Sequence, residues 1–243
     1  MIDVFGIVKY DLSSRILVKE VIPVLIKIPR FPLFIVFCGC ITILFLVSPL
    51  VSAQSRYPET IAVLKMSYVG EFQALHSYAA YAQKANSENY PNIARLFSAL
   101  AASEIIHARN FKKLLSELGT EAEKMPTPKI DVSSTRNNLK NAIDIELEEI
   151  DTRYPQFIQR IKPENFEAAI QEITYAWKSE QQHKELLQNI RSATGMFFGL
   201  LTKRIEGNPV DYFVCQRCGS TLVELPKDSC PVCDSPVSVY KKM

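Results

Sequence analysis

The chain has 243 residues, 47% of them hydrophobic and 22% charged, and its 28 basic and 26 acidic side chains leave a formal net charge of +2. That length and apolar content suffice for one sizeable folded domain plus a small module, and they exclude disorder for the bulk of the chain. A near-neutral body without a basic cluster gives little electrostatic reason to expect nucleic acid as a partner.

Residues 1–53 carry five basic side chains (Lys9, Arg15, Lys19, Lys27, Arg30) against three acids (Asp3, Asp11, Glu20). The uncharged stretch 31–55, between Arg30 and Arg56, is long enough to cross a hydrocarbon core of about 30 Å. It reads as a signal peptide or a membrane anchor. The basic residues before it predict a cytoplasmic N-terminus and export of everything after residue 55. Pro49 and Val51-Ser52-Ala53 resemble a cleavage region. Cys38 and Cys40 read as small apolar residues of the same run. The expected location is periplasmic or membrane-anchored with the rest of the chain outside the cytoplasm, a cytoplasmic protein being the alternative.

Residues 56–192 form the next unit. From Thr60 to Arg191 apolar residues recur at three- and four-residue spacing, and the one glycine past Gly70 is Gly119; the pattern predicts an all-α four-helix bundle. The first helix is expected from about Pro58 to Ala85, and the second from Asn89-Tyr90-Pro91, with Asn as cap and Pro in the first turn. Gly119 should end the second. Ser133 or Ser134 can cap the third, and Pro163-Glu164 opens the fourth. Pro155 falls inside the third helical pattern and predicts a bend after Tyr154. Residues 193–210 read as a linker, and residues 211–243 as a small β module.

The helices carry chemistry at matching places. Glu71 lies on the first, Glu104 and His107 on the second, Glu146 and Glu149 on the third, Glu180 and His183 on the fourth. The interval from Glu71 to Glu104 is nearly the same as that from Glu146 to Glu180, so two similar hairpins would bring the carboxylates together at the bundle centre. A Glu from each of two helices and a Glu-x-x-His from each of the others is the ligand set of a dinuclear iron or manganese site. Leu100, Ile105, Ile173 and Trp177 suggest that this face is buried. Five buried carboxylates without cations would repel one another severely, which argues for bound metal. His76 lies about 140° around the first helix from Glu71 and should point away. Glu148 and Asp151 should be solvated.

Cys215-x-x-Cys218 and Cys230-x-x-Cys233 are separated by a short loop, with Gly219 directly after the first pair. Two such knuckles suit one tetrahedral ion. Zinc would make a structural clip, iron a one-electron carrier, and an oxidising compartment leaves two disulfides open.

With both sets of residues in hand, the chain resembles the rubrerythrins over about residues 58–243: a ferritin-like di-iron bundle fused to a rubredoxin-like module. The Glu-x-x-Glu pair followed by Tyr154-Pro155 is especially like that family. The resemblance implies that Glu104 and Glu180 bridge the two irons, that Glu71 and Glu146 are terminal ligands, and that His183 holds the second iron. It further implies that the first iron shifts between Glu149 and His107 with redox state, and that Tyr78 and Tyr154 lie beside the site. The implied ligands of a single iron (or zinc) are Cys215, Cys218, Cys230 and Cys233. The implied activity is a peroxidase reducing hydrogen peroxide to water, served by an electron donor protein, in a homodimer or larger assembly. A ferritin-like ferroxidase with a structural zinc ribbon is the alternative. This chain departs from the family in having Gly219-Ser220 where rubrerythrins commonly have Gly-Tyr. An exported form would also need an electron donor other than the NAD(P)H-linked cytoplasmic one.

Overall fold

In the computed structural model, which describes residues 56–194 and 208–243, two helical hairpins pack against each other and carry a small sheet on one side. The first hairpin is α1 (Pro58–Ser87) and α2 (Pro91–Glu117). The second runs through α3 (Thr135–Glu148), a π-helical turn (Glu149–Arg153) and α4 (Tyr154–Ile161), then a 3₁₀ turn (Lys162–Glu164) and α5 (Glu167–Thr194). The expected signal or anchor segment lies outside the described residues, as does most of the expected linker. Among the described residues no helix is long and apolar enough to cross a membrane.

The two hairpins are built alike. Each turns on an asparagine in the left-handed region, Asn89 at φ 62° and Asn165 at φ 52°, which a short polar side chain tolerates. The glutamate at each turn then caps the other hairpin's first helix. Glu164 accepts from the amides of Glu59 and Thr60 at 2.8 and 2.7 Å, and Glu88 accepts from the amide of Thr135 at 2.9 Å. These bonds satisfy amides that a helix leaves free at its start, and the carboxylates sit favourably at the positive end of the dipole. Asn89 is therefore a turn residue and not the cap of α2, whose first residue is Pro91 after Tyr90. Ser134 does cap α3, accepting from Asn137. Pro163 falls in the 3₁₀ turn, and α5 begins only at Glu167, because left-handed Asn165 interrupts the chain between them. Gly119, at φ 68°, ends α2.

Pro155 acts differently from a simple bend. The chain widens into the π turn just before it, with the amide of Tyr154 bonded to the carbonyl of Glu149, and helix resumes at Tyr154 itself. In that pattern residue 155 would serve the carbonyl of Ile150, and proline has no N–H to give. The Trp177 indole serves it instead, Nε1 donating to Ile150 O at 2.9 Å.

Two apolar clusters fill the bundle. One contains Tyr78, Phe97, Leu100, Ile143 and Leu187, the other Leu64, Phe111, Tyr154, Ile161 and Ile173. The buried glutamates and histidines lie where one cluster gives way to the other along the helices, so a charged layer separates the apolar ones.

The cysteine module is a three-stranded antiparallel sheet ordered β2-β1-β3, from β1 (Phe213–Cys215), β2 (Thr221–Leu222) and β3 (Tyr240–Lys242). It and the bundle belong to one compact unit.

Candidate metal centres

Glu71, Glu104, His107, Glu146, Glu149, Glu180 and His183 are all buried. Six of them converge in two groups. Glu71, Glu104, His107 and Glu180 present ligand atoms within 4.8 Å of one another, and so do Glu104, Glu146, Glu180 and His183. Glu104 and Glu180 belong to both groups, one from each hairpin. Each histidine turns Nδ1 inward: His107 Nδ1 lies 2.8 Å from Glu104 and 3.0 Å from Glu180, and His183 Nδ1 lies 2.8 Å from Glu180 and 3.3 Å from Glu104.

These residues fit a pair of cations. Glu71 Oε2 and Glu146 Oε2 are buried without a hydrogen bond, and buried polar atoms ordinarily have one; the other inward oxygens face imidazole nitrogens that would themselves be metal ligands. The titration pattern has the same cause. Burial pushes the Glu71 carboxyl up to about 7 and lifts Glu146 and Glu149 well above the usual carboxylate range. Burial works to lower both histidines, but the surrounding carboxylates, Glu180 foremost, outweigh it and raise them well above their ordinary value. Glu180, facing both imidazoles, is held far below its usual range despite its burial. The site demands positive charge, which two cations would supply in place of protons.

Glu149, the residue expected to exchange with His107, stands apart from both groups. It is buried, and its carboxylate is paired with Arg153 one turn on. Arg153 also reaches the exposed Glu148 at 2.5 Å. His107 takes the place beside Glu71, with Nδ1 3.9 Å from its Oε2.

Two phenols cross between the hairpins. Tyr78 on α1 donates to Glu146 Oε1 at 2.5 Å, and Tyr154 at the start of α4 donates to Glu71 Oε1. Tyr78 follows Glu71 by seven residues, whereas Tyr154 follows Glu146 by eight; the π turn absorbs the additional residue and returns Tyr154 to the matching side of its helix. Burial drives both phenols well above their ordinary pKa, and the carboxylates add to it, so they remain donors.

His76 faces away, bonding the Phe72 carbonyl at 2.7 Å, and Asp151 is exposed. Leu100 and Ile173 are fully buried as expected, but Ile105 is 53% exposed. It follows Glu104 directly and is turned about 100° from the site.

Four cysteines of the module form the second centre. Cys218 Sγ lies 3.6 Å from Cys230 Sγ, and Cys215 Sγ lies 3.8 Å from Cys233 Sγ. A tetrahedral ion with metal–sulfur bonds of ~2.3 Å requires sulfur–sulfur edges of about 3.8 Å, whereas a disulfide is about 2.05 Å long. All four are free cysteines, brought together as one ion would need. The knuckles mirror each other: Gly219 N bonds Cys215 O and Asp234 N bonds Cys230 O, both at 2.9 Å, with positive φ at Gly219 and Asp234. Asp234 is exposed, whereas a Cβ on residue 219 would meet Ser103 Oγ at 2.6 Å and collide with His107.

That contact joins the two centres. Ser103, His107 and Asn110, at i, i+4 and i+7 on one face of α2, bond three consecutive carbonyls of the first knuckle. Ser103 Oγ donates to Gly219 O at 2.6 Å, His107 Nε2 to Cys218 O at 3.1 Å, and Asn110 Nδ2 to Arg217 O at 2.8 Å. With Nδ1 facing the carboxylates, Nε2 carries the proton. Thr221 Oγ1 lies 3.3 Å from His183 Nε2. Reading the sequence for metal ligands misses Ser103, Asn110, Arg153 and Thr221; the regular spacing of Ser103 and Asn110 about His107 is the available signal.

A ferritin-like helical bundle with a buried carboxylate–histidine site of the di-iron type, bearing a rubredoxin-like four-cysteine cluster suited to iron or zinc, is the class that this fold and these sites define. The rubrerythrin family model matches residues 62–191, and the chain belongs to that family. It is 31% identical to rubrerythrin-1 of Clostridium acetobutylicum over 75% of this chain and 93% of that one. It is 29% identical to rubrerythrin-2 of the same organism, covering 72% and 91% respectively. The solved structure of nigerythrin in a mixed-valence state superposes with a TM-score of 0.65 at 29% identity, over 76% of this chain and 86% of that one.

Proposed function

We propose that this rubrerythrin-family oxidoreductase is a peroxidase, reducing hydrogen peroxide to water at its carboxylate–histidine site with electrons relayed through the four-cysteine site. The observation that carries the reading is the hydrogen bond from His107, a member of the first site, to the carbonyl of Cys218 in the second.

Two ferrous ions, when bound, supply the two electrons that peroxide needs, together with two protons, to give two waters. The chain's own residues set the frame for this. Glu104 and Glu180 face both metal positions and would bridge them. Glu71 and Glu146 would be terminal ligands, fixed in orientation by Tyr154 and Tyr78. His183 would hold the second iron and His107 the first, with Glu149 kept in reserve on Arg153. Cys215, Cys218, Cys230 and Cys233 would hold iron that returns electrons one at a time.

The reading extends to setting. Residues 31–55 would direct export or anchor the chain, so its electron donor would be a protein outside the cytoplasm, and the working form a homodimer or larger assembly.

Metal analysis with stopped-flow spectroscopy tests the proposal. Three irons per chain, thiolate-to-iron absorption bands, and oxidation of the reduced protein faster by peroxide than by dioxygen are expected. One zinc with two irons, and no preference for peroxide, would replace it with a ferroxidase carrying a zinc clip.

A further inference from the structure

Ser220, directly after the glycine of the first knuckle, is completely buried in the cysteine module. Its hydroxyl lies 3.0 Å from the hydroxyl of Tyr240, and Tyr240 in turn donates to Cys230 Sγ at 3.2 Å. A phenol has one proton to give. With that proton engaged in the bond to sulfur, Ser220 is the donor to the phenol oxygen, and the three groups form a directed chain, Ser220 to Tyr240 to Cys230. The sheet explains how Tyr240 gets there. β3 pairs with β1 so that Tyr240 stands directly opposite Cys215, and directly paired residues share a face.

A hydrogen bond to a metal-bound thiolate withdraws charge from it, and such bonds are among the determinants of iron–sulfur reduction potentials. The ferrous four-cysteine site carries one more negative charge than the ferric site, so a donor strengthens more on reduction and favours the reduced form. Polarisation of the phenol by Ser220 strengthens its bond to sulfur. We infer that Tyr240, backed by Ser220, is a positioning residue that raises the reduction potential of iron at the four-cysteine site through an O–H···S bond to Cys230. The couple is a one-electron exchange at iron in which Tyr240 keeps its proton. Burial and the adjacent sulfur both hold that hydroxyl above the ordinary phenol range.

This inference rests on the proposed iron at the cysteines, and its test is separable from that reading. In the full chain with iron at the four-cysteine site, Tyr240→Phe should lower the midpoint potential by the equivalent of about a tenfold change in the ferric-to-ferrous ratio, ~59 mV for one electron. The iron–sulfur stretching bands of the parent protein should shift in D₂O, and that component of the shift should vanish in Tyr240→Phe. Ser220→Ala should lower the midpoint less, in the same direction. An unchanged or higher midpoint in Tyr240→Phe with intact thiolate–iron bands overturns the inference. If Tyr240→Phe takes up no iron, Ser220→Ala decides alone, and a midpoint not below the parent's overturns it. Zinc found at the cysteines of the isolated protein would defeat the electron relay, while the same midpoints remain measurable after reconstitution with iron.

Discussion

His107 Nε2 donates a hydrogen bond to the carbonyl oxygen of Cys218 at 3.1 Å, so a residue of one metal centre holds the backbone of the other. The approach is possible because residue 219 has no Cβ. Gly219→Ala should therefore separate the centres without removing a ligand. Gly219 has a left-handed φ of 83°. An alanine held in that region costs about 1–2 kcal/mol, and the collision with His107 adds to it. Both centres should still load, whereas re-reduction of the bundle site through the cysteines, followed by stopped flow, should slow at least tenfold.

Glu104 and Glu180 face both cation positions, while Glu71 and Glu146 face one each. Glu104→Ala should accordingly abolish binding of both bundle metals, and Glu146→Ala should leave one. Metal analysis after dialysis distinguishes the two. Equal stoichiometry in the variants would remove the shared role of Glu104.

The crossed phenols should matter equally. Tyr78→Phe and Tyr154→Phe each leave a buried carboxylate oxygen without its donor, and bonds to charged groups contribute about 1.5–3 kcal/mol. Denaturant unfolding of the metal-loaded variants should show similar losses in that range. A loss in one variant only would show that the two hairpins are not equivalent at this level.

Metal-free protein should become less stable as pH rises. The Glu71 carboxyl has an ordinary value of 4.5 and a folded value of about 7, so between them the native state binds more protons than the unfolded one. Stability then falls as pH climbs through that window, by about 3 kcal/mol for this group alone. Glu146 and Glu149 act in the same direction, as do the raised histidines. Glu180, lowered, contributes stability lost only under acid conditions. Bound metal replaces these protons, so thermal melts of the loaded protein should show a much flatter dependence from pH 5 to 7.

Helical periodicity makes most of the bundle and the spacing of its ligands readable in the sequence, because one residue in every three or four faces the centre and Glu-x-x-His satisfies that rule twice. What spacing does not convey has identifiable causes. Glu149 satisfies the same spacing as its neighbours, but where its carboxylate rests depends on the charge four residues on, Arg153. Asn89 reads as a cap because asparagine suits both caps and left-handed turns, and here Glu88 caps at a distance instead. The docking of the cysteine module depends on tertiary contact through main-chain carbonyls, which side-chain identity does not encode. Ser220 is visible as a departure, but its purpose emerges only with Tyr240 beside it.

The indole bond at the π turn gives the protein a built-in optical reporter. Trp177 is the chain's sole tryptophan, it stands three residues before Glu180 on α5, and its Nε1 is tied to the backbone beside Glu149. Movement of Glu149 off Arg153 would take place one residue from the carbonyl that the indole bonds. Emission from this one fluorophore should thus register occupancy and oxidation of the bundle site directly, without any added label.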